Sequence, residues 1–576
     1  MSRTRLVQTA MMLLGLVATV VVPSLAAAAT YYVATTGSNN APGTKTQPWR
    51  SIAFAAGKAV AGDTVVVTAG IYREGVAVKR SGSAARPITL RGLSGAVLES
   101  PDPNKSWSAF DVAARVAYVR LQGFEARGGF AETVYLRPGA HDIELAGLNL
   151  HDNRTGIWVA GASRIIIRDS VLRNNYRTGV RIFAGARDVQ IINTRSEGND
   201  DGAGCDGDSD GFNADSDCSN ILFDSVIAAG NSEDGFDLQA SNVTLLRVTS
   251  QRNQCSGMKL NGNAYVENAL VEGNRTGINS TGPAGAQATI VFSSLLNNDL
   301  GLRALGADFT LALTDSVVSG PGKALDYATD ITLIEARNVF ARPELRERLI
   351  VQEAAAGQVL FSGNDINAGK WARASGQGAG SVARDPGLDS RTYVPKSGSP
   401  AIDKAGVNGA VTRDHDGNPR PAGAAPDCGA FERQTATAQL QLRRALVRSD
   451  ESGSGRARFS ADLRLPGGAG FDPRTDALSV VLSGARGPLG SLELAAGALR
   501  ASDGGVYRAA VRDRDGAVLH LALTERAGGY AVSLRGHNVE TWRAPDGEVT
   551  LDVTAGSQRA CATTALRGAS GQFALP

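Results

Sequence analysis

One short unit recurs down the middle of the chain: an Asn, a Gly three or four residues later, and then a strand of alternating apolar residues. The Asn stands at Asn153, Asn175, Asn199, Asn231, Asn253, Asn274 and Asn298; the Gly follows at Gly156, Gly179, Gly211, Gly235, Gly257, Gly277 and Gly301. Most steps are 20 to 24 residues, the period of a solenoid in which each coil packs only on its neighbours. In such a fold equivalent positions stack in space. The residue two after each Gly forms one column: Trp158, Arg181, Asn213, Asp237, Lys259, Asn279 and Arg303. The residue just before each Gly forms another: Thr155, Thr178, Asp210, Asp234, Ser256, Thr276 and Leu300. Acidic residues and one lysine therefore meet on three consecutive coils.

After each repeat Gly the first and third residues are mostly apolar, as in Ile157/Val159, Val180/Ile182, Phe236/Leu238 and Met258/Leu260, with a polar or aromatic residue between. Period two with one apolar face is a half-buried strand, so the column two after Gly is expected to face solvent. Stacked in register, such strands make an all-β parallel β-helix with a rise of ~4.8 Å per coil. Parallel crossovers favour the right-handed form. Residues 49–60 read as a short helix with Ile52, Ala55, Ala56, Ala59 and Val60 on one side, placed to cover the open end of the stack. Residues 62–72 read as a strand and turn, and coils are expected from about 84 to 335. Residues 385–432 look like the irregular end of the β-helix domain, which spans 30–432; 433–440 is a linker, and 441–576 a small β-sandwich-like domain. One coil breaks the spacing. Asn199 and Gly211 are 12 residues apart, and the insertion carries Asp200, Asp201, Cys205, Asp206 and Asp208. Insertions in solenoids sit on a rim, often the binding rim.

Residues 1–29 have the form of a secretory signal: Arg3 and Arg5, an apolar run over 11–22, then small residues. No other stretch is long or apolar enough to span a membrane. Without Arg3 and Arg5 the chain has 57 basic and 57 acidic residues, a balance with no bulk drive toward nucleic acid or an anionic membrane. The chain is expected to be exported and to act as a monomer. Export permits disulfides among Cys205, Cys218, Cys255, Cys428 and Cys561. Cys205–Cys218 is the preferred pair, since it closes a short acidic loop; zinc-like spacing is absent.

Asp210, Glu233, Asp234 and Asp237 fall together in this register. Carboxylates that close repel unless neutralised, and hard oxygen ligands in that number suit Ca²⁺. The plainer reading is a solvated acidic rim of Asp-Gly turns. Lys259 stacks on Asp237. The chain holds nine Lys against 50 Arg, and Lys, unlike Arg, can lose its proton. The plainer reading here is a simple Lys–Asp rung pair. A lysine base beside Ca²⁺ fits β-elimination in a uronate polymer: the cation stabilises charge developing next to the sugar carboxylate while the amine takes the proton. Trp158 and Arg181 stand on the same column, placed to hold a sugar ring and a second carboxylate.

The segments SDGF at 209–212, NSEDGFDL at 231–238 and GMKL at 257–260 resemble the motifs of polysaccharide lyase family nine, the calcium-dependent pectate lyases and their relatives. The resemblance implies a right-handed parallel β-helix, Ca²⁺ ligands at Asp210, Glu233, Asp234 and Asp237, a lysine base at Lys259 and an acidic, pectate-like polysaccharide substrate. The chain departs from the family pattern at Glu233 (Asp in the family), Phe236 (Trp) and Asn261 (Gly). Two rival readings stay open: a glycoside hydrolase using Asp234 and Asp237 as acid and base, and a non-catalytic carbohydrate-binding or surface protein on the same fold. DGDSDG at 206–211 mimics half of a calcium loop, but Asp206 and Asp208 fit better as the rim of the main site.

Overall fold

In the computed structural model each coil passes in turn through three parallel β-sheets, here called A, B and C. The structure describes residues 28–434, apart from 307 and 344–346, and the strands between 439 and 574. The expected leader lies outside the described residues except for its last two. One coil shows the pattern: Ala117–Gln122 in sheet A, Glu125–Arg127 in sheet B and Glu132–Leu136 in sheet C. Each sheet holds thirteen strands, paired parallel except for the last pair of sheet C, Arg348–Ala354 with Gly357–Ser362, which is antiparallel. The stack starts at Thr30–Val33 and continues to Val382–Ala383, well beyond the 84–335 expected from the repeat. The outer coils lack the Asn–Gly marker but keep the strand pairing. Among the described residues no helix is long and apolar enough to cross a membrane.

The marker has a physical cause. Asn153, Asn175, Asn199, Asn231, Asn253, Asn274 and Asn298 are all buried and form a continuous ladder along the axis. Asn199 donates from its backbone N–H (3.2 Å) and its amide (2.9 Å) to Oδ1 of Asn231, and Asn231 donates in the same way to Asn253 (3.1 and 2.9 Å). Each turn thus satisfies the buried backbone of the turn before it. The repeat Gly makes room for this. A Cβ on Gly257 would lie 2.7 Å from the Gly277 carbonyl oxygen and 2.8 Å from the Asn274 amide nitrogen. Gly is required here for close approach, not for a special backbone angle.

Inside the ladder runs one apolar core that includes Ile157, Val159, Val180, Phe212, Phe236, Met258 and Leu260. Phe212 and Phe236 stack at 5.2 Å, with Phe223 edge-on to both. A short helix packs on the core near its N-terminal end. Helix Ile52–Lys58 buries Ile52, Ala55 and Ala56. Ser51 caps it, and the Glu74 carboxylate accepts from Ile52 and Ala53 N–H groups at its positive end (2.9 and 3.0 Å). Val60, assigned to the apolar side, is instead 42% exposed.

Residues 384–434 do not simply end the stack. They run back along the outside of sheet B and cover Leu270, Phe292, Leu296, Val317 and Val339 with Ala401, Val411, Cys428 and Phe431. The outward face of sheet B is apolar on these coils and would otherwise form an exposed patch. A buried Arg420–Glu432 ion pair (3.1 Å) and an Arg420 hydrogen bond to Asn268 (3.1 Å) pin the segment. From Gln439, two residues before the expected boundary, pairing changes to antiparallel, in an eight-stranded and a four-stranded sheet.

Asn231→Ala is expected to cost about 2–4 kcal/mol, because it leaves the buried donors of Asn199 without an acceptor. The exposed strand residue Gln190 changed to Ala should cost under about 0.5 kcal/mol. Urea unfolding midpoints of the two variants check this.

Candidate functional site

The columns read from the sequence are the columns of sheet C. Trp158 pairs with Arg181, Arg181 with Asn213, Asn213 with Asp237, Asp237 with Lys259, Lys259 with Asn279 and Asn279 with Arg303. The short strands Phe212–Ala214 and Phe236–Leu238 bury their first and third residues, so Asn213 and Asp237 point outward. They are nevertheless only 9% and 6% exposed, less open than an outward column suggests.

Ligand oxygens of Asp210, Glu233 and Asp234 lie within 4.8 Å of one another. Two oxygens on one Ca²⁺ can be about 5 Å apart, twice the usual bond, so these three residues fit a shared cation. Asp237 stands beside the group. Its Oδ2 accepts from Lys259 Nζ at 3.1 Å, while its Oδ1 is buried with no hydrogen-bond partner among the described residues. A cation would satisfy that orphaned atom. Lys259 Nζ is also 3.8 Å from Asp234 Oδ2. Backbone N–H groups hold the acids in place: Asp234 N–H on Asp210 (3.2 Å), Ser209 N–H on Glu233 (3.2 Å) and Ser256 N–H on Asp234 (2.6 Å).

Burial and mutual repulsion set the electrostatics. Burial, reinforced by Glu233, Asp234 and Asp237, drives the Asp210 carboxyl well above the usual carboxylate range. Burial pushes Glu233 up to about 7, against the pull of the Ser209 N–H. Asp234 is raised by burial too, partly offset by Ser256 and Lys259. For Lys259 burial opposes the charge, but Asp237 and Asp234 outweigh it and hold the proton more firmly than in water.

The insertion between Asn199 and Gly211 is fastened by a Cys205–Cys255 disulfide, Cα to Cα 5.6 Å, and not by the expected Cys205–Cys218. The insertion and Cys255 both lie in the turn from sheet B to sheet C. The chain has passed through Phe212–Ala214 by residue 218, so Cys218 sits buried in the core, unpaired. The staple therefore joins the insertion to the coil that carries Lys259. Asp201 folds the loop by accepting from Ala203 and Asp208 N–H groups (3.0 and 2.8 Å). The Asp208 carboxylate faces Arg177 (3.2 Å) and Arg181 (3.6 Å), so it orients arginines instead of joining the acidic group.

Arg181 is also 3.6 Å from Asp215. Trp158 packs edge-on against Tyr135 (5.8 Å) and Phe183 (5.2 Å), making an aromatic stripe up the same face. Sequence reasoning missed Tyr135 because its coil lacks the Asn–Gly marker. Phe183, two residues after Arg181 on the same side of its strand, was open to the same alternation argument. Asn261, where the family pattern has Gly, accepts from Thr281 N–H and Oγ1 at 3.0 Å and ties its turn to the next coil.

Residues 31–302 match the profile described as Pel9A-like, right handed beta helix region. This part of the chain is similar to the Pel9A-like β-helix family. The coil hand is thus the one expected from crossover geometry. The chain is similar to an uncharacterized protein, YwoF, of Bacillus subtilis (strain 168): 32% identical over 152 residues, 25% of this chain and 28% of that protein. It is also similar to the pectate lyase PEL9 of Emericella nidulans, 27% identical over 187 residues, 32% of this chain and 43% of the relative. The chain thus spans less than half the length of either relative. Among solved structures, that of pectate lyase Pel9A aligns at 17% identity with a TM-score of 0.39, covering 70% of this chain and 96% of the other.

The raised acids give a pH dependence. Glu233 titrates near 7 in the folded chain against an ordinary 4.5, so between those values the folded state holds the extra proton and stability falls as pH rises. With a chelator present, the melting temperature should be higher at pH 5 than at pH 8. Asp210→Asn should raise it at pH 8 and flatten the trend. A parent trend of opposite sign, by calorimetry, would contradict the reading.

Proposed function

We propose that this is an exported polysaccharide lyase that cleaves an acidic, pectate-like polymer by calcium-assisted β-elimination. Residues 30–432 form its catalytic unit and 441–576 a separate β-sandwich-like domain. One observation carries the reading: Lys259 Nζ lies 3.1 Å from Asp237, on the rung beside three carboxylates spaced for one cation. The family supports it, since a related chain is a pectate lyase.

Asp210, Glu233, Asp234 and Asp237 would hold the ion. Calcium, when bound, neutralises these carboxylates and draws charge from the substrate carboxylate, which makes the neighbouring C–H more acidic. With the acids neutralised, burial is the main force left on Lys259, and burial favours the neutral amine. Lys259 then takes the proton from the sugar carbon next to the carboxylate. The C–H electron pair forms the ring double bond, and the glycosidic oxygen leaves the adjacent carbon with the C–O electron pair and takes a proton from water. Asp237 receives the lysine ammonium in a hydrogen bond once the proton has moved. Trp158, braced by Tyr135 and Phe183, offers an apolar face to a sugar ring, and Arg181 a guanidinium to a second carboxylate.

Incubation with polygalacturonate and calcium should release products with the ultraviolet absorbance of an unsaturated sugar end, and a chelator should abolish it. Lys259→Arg and Lys259→Ala should each lower kcat by at least about 10²-fold, and Asp234→Asn should abolish calcium binding by calorimetry. Full activity in Lys259→Arg would remove the lysine base. Products without the new absorbance would favour a hydrolase, and polymer binding without product a non-catalytic scaffold.

A further inference from the structure

We infer that Asn279 and Arg303 form an additional subsite on the C-terminal side of Lys259, taking a hydroxyl and the carboxylate of a further uronate residue. The inference rests on the uronate-polymer reading above. Both residues continue the outward column: Lys259 pairs with Asn279, and Asn279 with Arg303. Two rungs, ~10 Å, separate Arg303 from Lys259.

Two features of this pair bear on ligand binding. Arg303 is exposed, and among the described residues its guanidinium has no ion-pair or hydrogen-bond partner. Many other arginines on the coils are matched, such as Arg137 with Asp111, Arg337 with Asp315 and Arg168 with Glu144, all at 2.6 Å. Asn279 differs likewise from the asparagines of the interior ladder. Its Oδ1 is buried without a partner among the described residues, an acceptor that a ligand hydroxyl would satisfy. A guanidinium presents two parallel N–H groups that match a carboxylate, and an amide beside it suits a sugar hydroxyl.

The column also sets limits. The next residue, Asp326, is acidic and 3.3 Å from Lys323, so contacts with an anionic chain stop at Arg303. On the other side of the acids, Arg181 stands two rungs from Asp237. Cationic groups thus flank the carboxylate cluster along the axis. A bound polymer runs parallel to that axis and crosses the acids between Arg181 and Arg303.

The test is affinity electrophoresis in unesterified polygalacturonate with calcium, on a Lys259→Ala background so that polymer is not consumed. Arg303→Gln should weaken binding about three- to fivefold, as for an exposed charge pair, and adding Asn279→Ala should weaken it further. Arg195→Gln, which removes a charge on sheet B, should bind like the background protein. Fully methyl-esterified pectin lacks the carboxylates, so Arg303→Gln should not change retention in it. The subsite is overturned if Arg303→Gln binds polygalacturonate as well as the background protein. It is equally overturned if the loss is as large on esterified pectin, or if the background protein does not bind polygalacturonate at all. The lyase reading is judged separately, by unsaturated product from the protein with Lys259 intact.

Discussion

The buried asparagine ladder is the interaction on which the rest of this molecule depends. Asn231, Asn253, Asn274 and Asn298 occupy the space that the Gly of the preceding coil leaves open, and the ladder closes the hydrogen-bonding needs of the backbone beside it. Amide-to-amide spacing is therefore the rung spacing. A ladder so constrained leaves no freedom to slip one residue, and a slip would turn every outward side chain into the core. The site inherits its precision from this. Asp237 and Lys259 face each other because Asn231, Asn253 and Asn274 are in line behind them.

The same rigidity makes the acidic cluster costly. Three or four carboxylates are held by backbone N–H groups in a poorly hydrated pocket, where they raise one another's proton affinity. One lysine does not balance them. A fold that maintains such a charge excess at a fixed place is suited to a multivalent counter-ion. The field that the ion would cancel is also the field that keeps Lys259 protonated. Asp234 and Asp237 thereby belong both to the acidic group and to the field that holds the Lys259 proton.

The central coils were legible because their marker is physical: Asn and Gly are both required for the ladder, so counting them recovers the register of sheet C residue by residue. The outer coils were not legible in this way. Tyr135 sits in a coil without the marker, and its place in the aromatic stripe became visible only from strand pairing. The disulfide was misread because proximity along the chain was taken for proximity in space, whereas a solenoid brings together residues one or more turns apart. The return of residues 384–434 over sheet B was hidden for a related reason. Leu270, Phe292 and Val317 look like ordinary strand residues, and nothing local says that their outward face needs a cover.

The pairing of Gly211, Gly235, Gly257 and Gly277 with the Asn of the following turn has a consequence for how such proteins diversify. Within the central coils a turn is gained or lost as a whole Asn–Gly module, since a partial one would leave a Gly without its filler or an Asn without its socket. The length of the sheet C face in this architecture therefore changes in quantised steps of one rung, while the acidic cluster beside Lys259 can stay unaltered.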